Sequence, residues 1–181
     1  MPWFSASLDR DWRGEEVALS RRVEVDVRLD ETSLHVHINA PYFGNAPPSH
    51  EPGSTPELWM HEVVELFILG EDARYLEAEF GPHGHYLLLT LHGERQLVEQ
   101  GMRCTSYEAH VEGDTWRGHA ILARDLLPPS PTHFNLYAIH ATPPAHARRF
   151  LALSHEADAA RPDFHRLDVF LPTSKWRQKR S

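Results

Sequence analysis

Three acidic residues stand among apolar ones in a way that could do chemistry. In VVELFIL, residues 63–69, Glu65 interrupts a nearly continuous apolar run. In RYLEAEF, residues 74–80, Glu77 and Glu79 alternate with Leu76, Ala78 and Phe80. A carboxylate in a strand buried on both faces must be paired or hydrogen-bonded, or it costs several kcal/mol. By strand parity Glu65 shares a face with His61, Val63 and Phe67, while Glu62, Val64, Leu66 and Ile68 take the other. If RYLEAEF is the neighbouring strand, Glu77 or Glu79 lies across from Glu65. Trp59 opens the same segment. A carboxylate accepts hydrogen bonds from vicinal hydroxyls and an aromatic ring covers the apolar face of a pyranose, so Trp59, Glu65 and Glu77 have the chemistry of a sugar site. The competing reading is an acid paired with Arg or His inside the fold.

The fourteen histidines raise a second possibility. His35/His37 and His83/His85 each have the i, i+2 spacing that places two side chains on one strand face. Such a pair can ligate Zn²⁺ or a similar ion if Glu65, Glu77 or His140 converges on it. No HExxH-type motif is present, and the expectation is no bound metal and no cofactor, with His37 and His85 as weaker polar contacts of the acidic patch. In PDFH, residues 162–165, Asp163 and His165 could act as an acid–base pair. Alternatively, Asp163 caps a tight turn and His165 begins a strand. No GxSxG, P-loop or GxGxxG motif occurs, so the motifs support no enzyme activity. Cys104 is the only cysteine, which excludes an internal disulfide and a cysteine-cluster metal site.

The elements that must position these residues are strands. Val23, Val25, Val27 and Leu29 alternate with polar residues, as do Leu34, Val36 and Ile38, and the two runs read as a hairpin. CTSYEAHVEG, TWRGHAILA, HFNLYAIH, RRFLALSH and HRLDVFL continue the pattern, while ARDLLPPSP allows at most one helical turn before its prolines. About ten short strands predict an all-β fold, a single antiparallel β-sandwich. Residues 40–57 carry five prolines and form a long loop, expected to border the pocket as a flap. The whole chain, 1–181, reads as one domain: a sandwich core at about 20–171, an N-terminal segment at 1–19 and a solvated basic tail at 172–181.

With 41% hydrophobic and 24% charged residues the composition is that of a globular protein. The net charge of −8 speaks against a nucleic-acid partner. No apolar run approaches the ~20 residues of a membrane span, and the N-terminus lacks a signal-peptide pattern. The expected location is cytoplasmic, without a membrane partner. Nothing in the sequence defines an oligomeric state.

LWMHEVVELFI, RYLEAEFGPHGHY, TWRGHAILARDLL, HFNLYAIH and FHRLDVF, in that order, resemble the family 9 carbohydrate-binding-module-like superfamily, which is related to DOMON domains. The similarity extends over about residues 20–171 and is greatest to a stand-alone branch. It implies a single antiparallel β-sandwich whose concave sheet face binds sugars or, in some DOMON domains, haem b. Trp59 and Glu65 match the positions of the aromatic residue and strand carboxylate that cooperate in sugar-binding relatives. The resulting expectation is non-catalytic binding of a small polar, carbohydrate-like ligand, with Trp59 as platform and Glu65 and Glu77 as acceptors. Two alternatives are a metal-dependent enzyme using His and Glu ligands, and a haem b domain with Met60 and His140 or His155 as axial ligands.

Overall fold

Alternating apolar residues bury one face of a strand, and two such sheets must meet face to face. The computed structural model, which describes residues 2–141, 148–155 and 158–178, has this architecture. Its strands are β1 (Pro2–Leu8), β2 (Val23–Leu29), β3 (Ser33–Pro41), β4 (Gly53–Ser54), β5 (Val63–Gly70), β6 (Arg74–Phe80) and β7 (His85–His92). They continue with β8 (Leu97–Gln100), β9 (Ser106–Glu112), β10 (Thr115–Ala123), β11 (Pro131–Ala141), β12 (Arg148–Ala152), β13 (Leu171–Pro172) and β14 (Arg177–Gln178). One sheet has the order β14-β1-β2-β3-β10-β9. The other has the order β12-β11-β5-β6-β7-β4, with β13 attached to β11 and β8 to β7. All pairings are antiparallel except the short parallel bridge between β4 and β7. The fold is all-β, as expected.

Val25, Val27, Val36, Trp116 and Leu122 from the first sheet meet Val64, Leu66, Leu76, Phe80 and Leu136 from the second to form the core. The second sheet also has a buried outer face. There Phe67, Tyr75, Leu87, Leu89, Tyr137 and Ile139 are covered by Phe150, Phe164, Leu167 and Phe170. Phe164 stacks on Tyr137 with ring centroids 3.9 Å apart. This second layer explains why β5 and β6 are apolar on both faces.

Several boundaries differ from the expectation. β1 runs alongside β2 from Trp3 to Leu8 and pairs with β14, so the sheet reaches into both terminal segments. Lys179, Arg180 and Ser181, the end of the basic tail, lie outside the described residues. HRLDVFL is not a full strand: Leu167–Val169 form a 3-10 turn and only Leu171–Pro172 pair with β11. A further 3-10 turn, Leu58–Met60, precedes β5.

The proline-rich loop does not border the acidic patch. The Phe43 and Asn45 donors close on the Glu62 carboxylate, with Asn45 Nδ2 donating at 2.8 Å. Thr55 N–H donates to the Tyr86 carbonyl, and Gly53 N–H to that of Gly84. These bonds fasten the loop at the β6–β7 turn, because Glu62 has the opposite parity to Glu65.

Candidate functional site

Glu65 and Glu79 are direct cross-strand partners on β5 and β6, and Glu77 sits two residues along β6 on the same face. Tyr137 flanks Glu65 on β11, and Leu87 flanks Glu79 on β7. Relative exposures of 1% for Glu65, 5% for Glu77 and 0% for Glu79 place three carboxyl groups beneath the covering layer. A cavity of about 400 Å³ opens above them. Its floor includes Glu65, Glu77, Leu89 and Ile139; Trp59, Phe150 and Phe164 supply aromatic wall, and Arg95, Arg148, Asp163 and His165 the polar groups.

Burial sets the charge state of this floor. Loss of water pushes the Glu77 carboxyl up to about 8. It pushes Glu65 and Glu79 well above the ordinary range, and the mutual repulsion of neighbouring acids adds to the effect. Arg148 acts in the other direction on Glu65, but less than burial does. At neutral pH Glu77 is therefore predominantly a carboxylic acid, and burial biases Glu65 and Glu79 in the same direction; a protonated carboxyl can donate one hydrogen bond and accept others. One Glu65 oxygen and both Glu79 oxygens lack a partner of good geometry. The Trp59 N–H and the Glu77 carboxyl lie near enough to Glu79 to affect its titration without making such a bond.

His165 stands on the opposite wall. Its Nε2 is 4.0 Å from Glu77 Oε2. Its Nδ1 is 2.8 Å from the Tyr75 hydroxyl, whose oxygen accepts the Arg95 N–H at 3.2 Å. Burial, helped by the nearby Arg95 charge, lowers the imidazole to about 4, so it is neutral at pH 7. Asp163 accepts the His165 N–H at 3.0 Å and pairs with Arg95 at 2.5 Å. Asp163 thus caps the turn while His165 faces the cavity, and both readings of PDFH hold in part. The Arg148 guanidinium donates to the Trp59 carbonyl, tying β12 to the turn before β5.

Trp59, Glu65 and Glu77 line this one cavity; His37 and His85 do not join them. His37 lies on the outer face of the other sheet, stacked on His119 at 4.1 Å, because β3 belongs to that sheet. His85 has the floor's parity but is buried beside the loop, where Nε2 donates to the His50 carbonyl at 2.9 Å. Among the described residues no group of three or more His, Cys, Asp or Glu side chains has metal-binding geometry. Met60 is exposed, whereas His140 is buried against Phe43. Arg95, Arg148, Phe150 and Phe164 were not singled out by sequence reasoning. Arg95 and Phe164 come from a turn and a loop, where periodicity carries no signal, although the PDFH motif marked the right neighbourhood. Arg148 and Phe150 lie in RRFLALSH, which reads as a strand without showing which face it covers.

No protein-family model matches the chain. It is 37% identical to the UPF0462 protein C4orf33 homolog of Mus musculus, with 94% of this chain and 95% of the mouse protein covered. Identity to the human UPF0462 protein C4orf33 is 34%, covering 96% and 93% of the two chains. Among solved structures, a Bacteroides uniformis protein proposed to bind carbohydrate superimposes with a TM-score of 0.70 at 15% identity, covering 92% of this chain and 84% of that one. A family 9 carbohydrate-binding module from Caldicellulosiruptor kristjanssonii, in complex with cellotriose, gives a TM-score of 0.52 at 14% identity, with 78% and 69% covered. At these identities the structural likeness establishes the shared fold.

Proposed function

The chain belongs to the UPF0462 family and has the β-sandwich fold of carbohydrate-binding modules, and from that premise we propose that its acid-floored cavity binds a small carbohydrate-like ligand. The observation that carries this reading is the union of protonated carboxyls and aromatic walls in one recess. A volume of about 400 Å³ falls in the range of small-molecule sites, which combine an apolar lining with a few convergent polar groups. A sugar presents hydroxyls that both donate and accept, and a neutral carboxyl at Glu65 or Glu77 answers both roles. Its C–H faces suit Trp59 and Phe164. A ligand seated there also supplies partners for the Glu65 oxygen that has none.

Calorimetric titration with methyl α-D-glucoside, methyl α-D-galactoside and cellobiose tests the proposal. Saturable binding by the parent protein that weakens in Glu65→Gln, with folding intact, supports it, because the amide keeps an acceptor and changes the donor geometry. The absence of saturable binding to all three sugars, or equal binding by Glu65→Gln and Trp59→Ala, refutes it.

A further inference from the structure

We infer that this cavity also moves protons at the anomeric centre of an aldose, interconverting its anomers, with Glu77 as the acid and His165 as the base. The inference rests on the sugar-binding reading and adds a reaction to it. Glu77 Oε2 and His165 Nε2 face the cavity 4.0 Å apart. The ring oxygen and the hydroxyl of a hemiacetal share one carbon, so two proton-carrying groups at this spacing can each reach one of them.

Both groups are oriented from behind. Glu77 is held in β6 between its cross-strand neighbours Phe67 and Leu89. His165 is fixed by its N–H bond to Asp163, by Tyr75 at Nδ1 and by the edge-on Phe67 ring at 5.7 Å. The reaction uses the tautomer in which Nδ1–H donates to the Tyr75 oxygen, leaving the Nε2 lone pair toward the sugar. An acid fixed by its place in a central strand and a base oriented by Tyr75 and the Asp163 turn, beside an apolar recess, form a constellation suited to proton transfer.

The step balances without a cofactor. Glu77 gives its proton to the ring oxygen as the bond between that oxygen and the anomeric carbon breaks. His165 Nε2 takes the proton of the anomeric hydroxyl, whose O–H electron pair becomes the C–O π bond of the open-chain aldehyde. After rotation about the adjacent C–C bond, the freed hydroxyl adds to the other carbonyl face. It returns its proton to Glu77, while the imidazolium protonates the new anomeric oxygen. Nothing is oxidised or reduced.

The surroundings favour the starting forms, with Glu77 at about 8 and His165 at about 4. The other titratable and charged groups facing the pair are Glu65 and Glu79, whose carboxyls burial pushes toward the protonated form, the Asp163–Arg95 ion pair, Tyr75 and Arg148. Activity requires protonated Glu77 and neutral His165, so it should rise through about pH 4 and fall through about pH 8.

Polarimetry on freshly dissolved α-D-glucose, α-D-galactose and α-D-xylose, with the full chain added, reads the reaction directly. The expected result is an acceleration proportional to protein. Glu77→Gln and His165→Gln should each reduce it on the order of 10²–10⁴-fold. Circular dichroism spectra like the parent's should show that both variants are folded. Glycoside binding without acceleration overturns this inference and leaves the binding reading standing. Neither binding nor acceleration overturns both. Acceleration that survives both substitutions overturns the assignment of the two groups.

Discussion

On β2 and β3 the polar residues of the alternation stand on an open surface, whereas on β5 and β6 the corresponding outward positions are buried. Asp26, His37, His119 and Glu108 fall in register across β2, β3, β10 and β9. This row has the functional groups of a site but no covering layer of the kind that lies over β5 and β6, although His119, stacked on His37, has its Nε2 shielded from water. Across the molecule, Tyr137, Glu65, Glu79 and Leu87 form the equivalent row on β11, β5, β6 and β7. Residues from 148–155 and 158–172 cross that face and exclude water from it. Ionisable side chains thus stand on an uncovered face of one sheet and become buried, perturbed acids on the other. The cover makes the difference, since removing water raises the free energy of the charged form.

Forcing a charge onto each row is the most severe way to break the comparison. Glu65→Lys should destabilise the fold by about 3–5 kcal/mol, because the ammonium enters a buried position beside Arg148. His37→Lys on the open row should stay within about 0.5 kcal/mol of the parent. Urea unfolding of the two variants measures both, and equal losses would mean that the rows do not differ in cover.

The next largest effect is a pH dependence of stability. A carboxyl whose folded pKa is raised binds more protons in the folded chain than in the unfolded one. Its contribution is complete below the ordinary carboxyl value of 4.5 and is lost as pH rises through about 8 for Glu77. Between about pH 7 and 8 His165 and His140, both lowered to about 4, are neutral in the fold and largely neutral in the unfolded chain, so they add little slope. There Glu77 should contribute a fall of up to about 1.4 kcal/mol per pH unit. Glu77→Gln should reduce that slope by one group's share. A slope unchanged by the substitution would show that Glu77 is already ionised at neutral pH.

Trp59→Ala should weaken sugar binding by about tenfold, the loss of one aromatic contact, while stability changes little. Calorimetry on the variant reads the first effect and urea unfolding the second. The smallest effect belongs to the open face: His37→Ala should leave sugar affinity unchanged and stability within about 0.5 kcal/mol. A measurable loss of sugar binding on His37→Ala would move the site to the other sheet.

The strands that carry the site were legible in the sequence because their alternation is regular. RYLEAEF and TWRGHAILA match β6 and β10 residue for residue. The acids were legible too, since Glu65 violates an apolar run. Sheet membership was not. His37 and Glu77 alternate in the same way, and parity does not say which sheet a strand joins or what covers its outer face. The cover consists of a 3-10 turn, an edge strand and a loop. The strand RRFLALSH was legible as a strand, but nothing in its alternation shows that Arg148 and Phe150 lie over the acids, and Phe164 sits in a loop without a period. The proline-rich loop was recognised as irregular, yet its destination depended on Glu62, one residue out of phase with the floor.

The central claim is that ligand chemistry belongs to the covered acidic face and not to the open histidine face. Amide and side-chain NMR spectra of the full chain, followed during titration with methyl α-D-glucoside and methyl α-D-galactoside, test it most directly. The account predicts saturable shifts at Trp59, Glu77, Phe164 and His165, with His37 and His119 unmoved. Shifts centred on His37 and His119, or no saturable shift on either face, would contradict it.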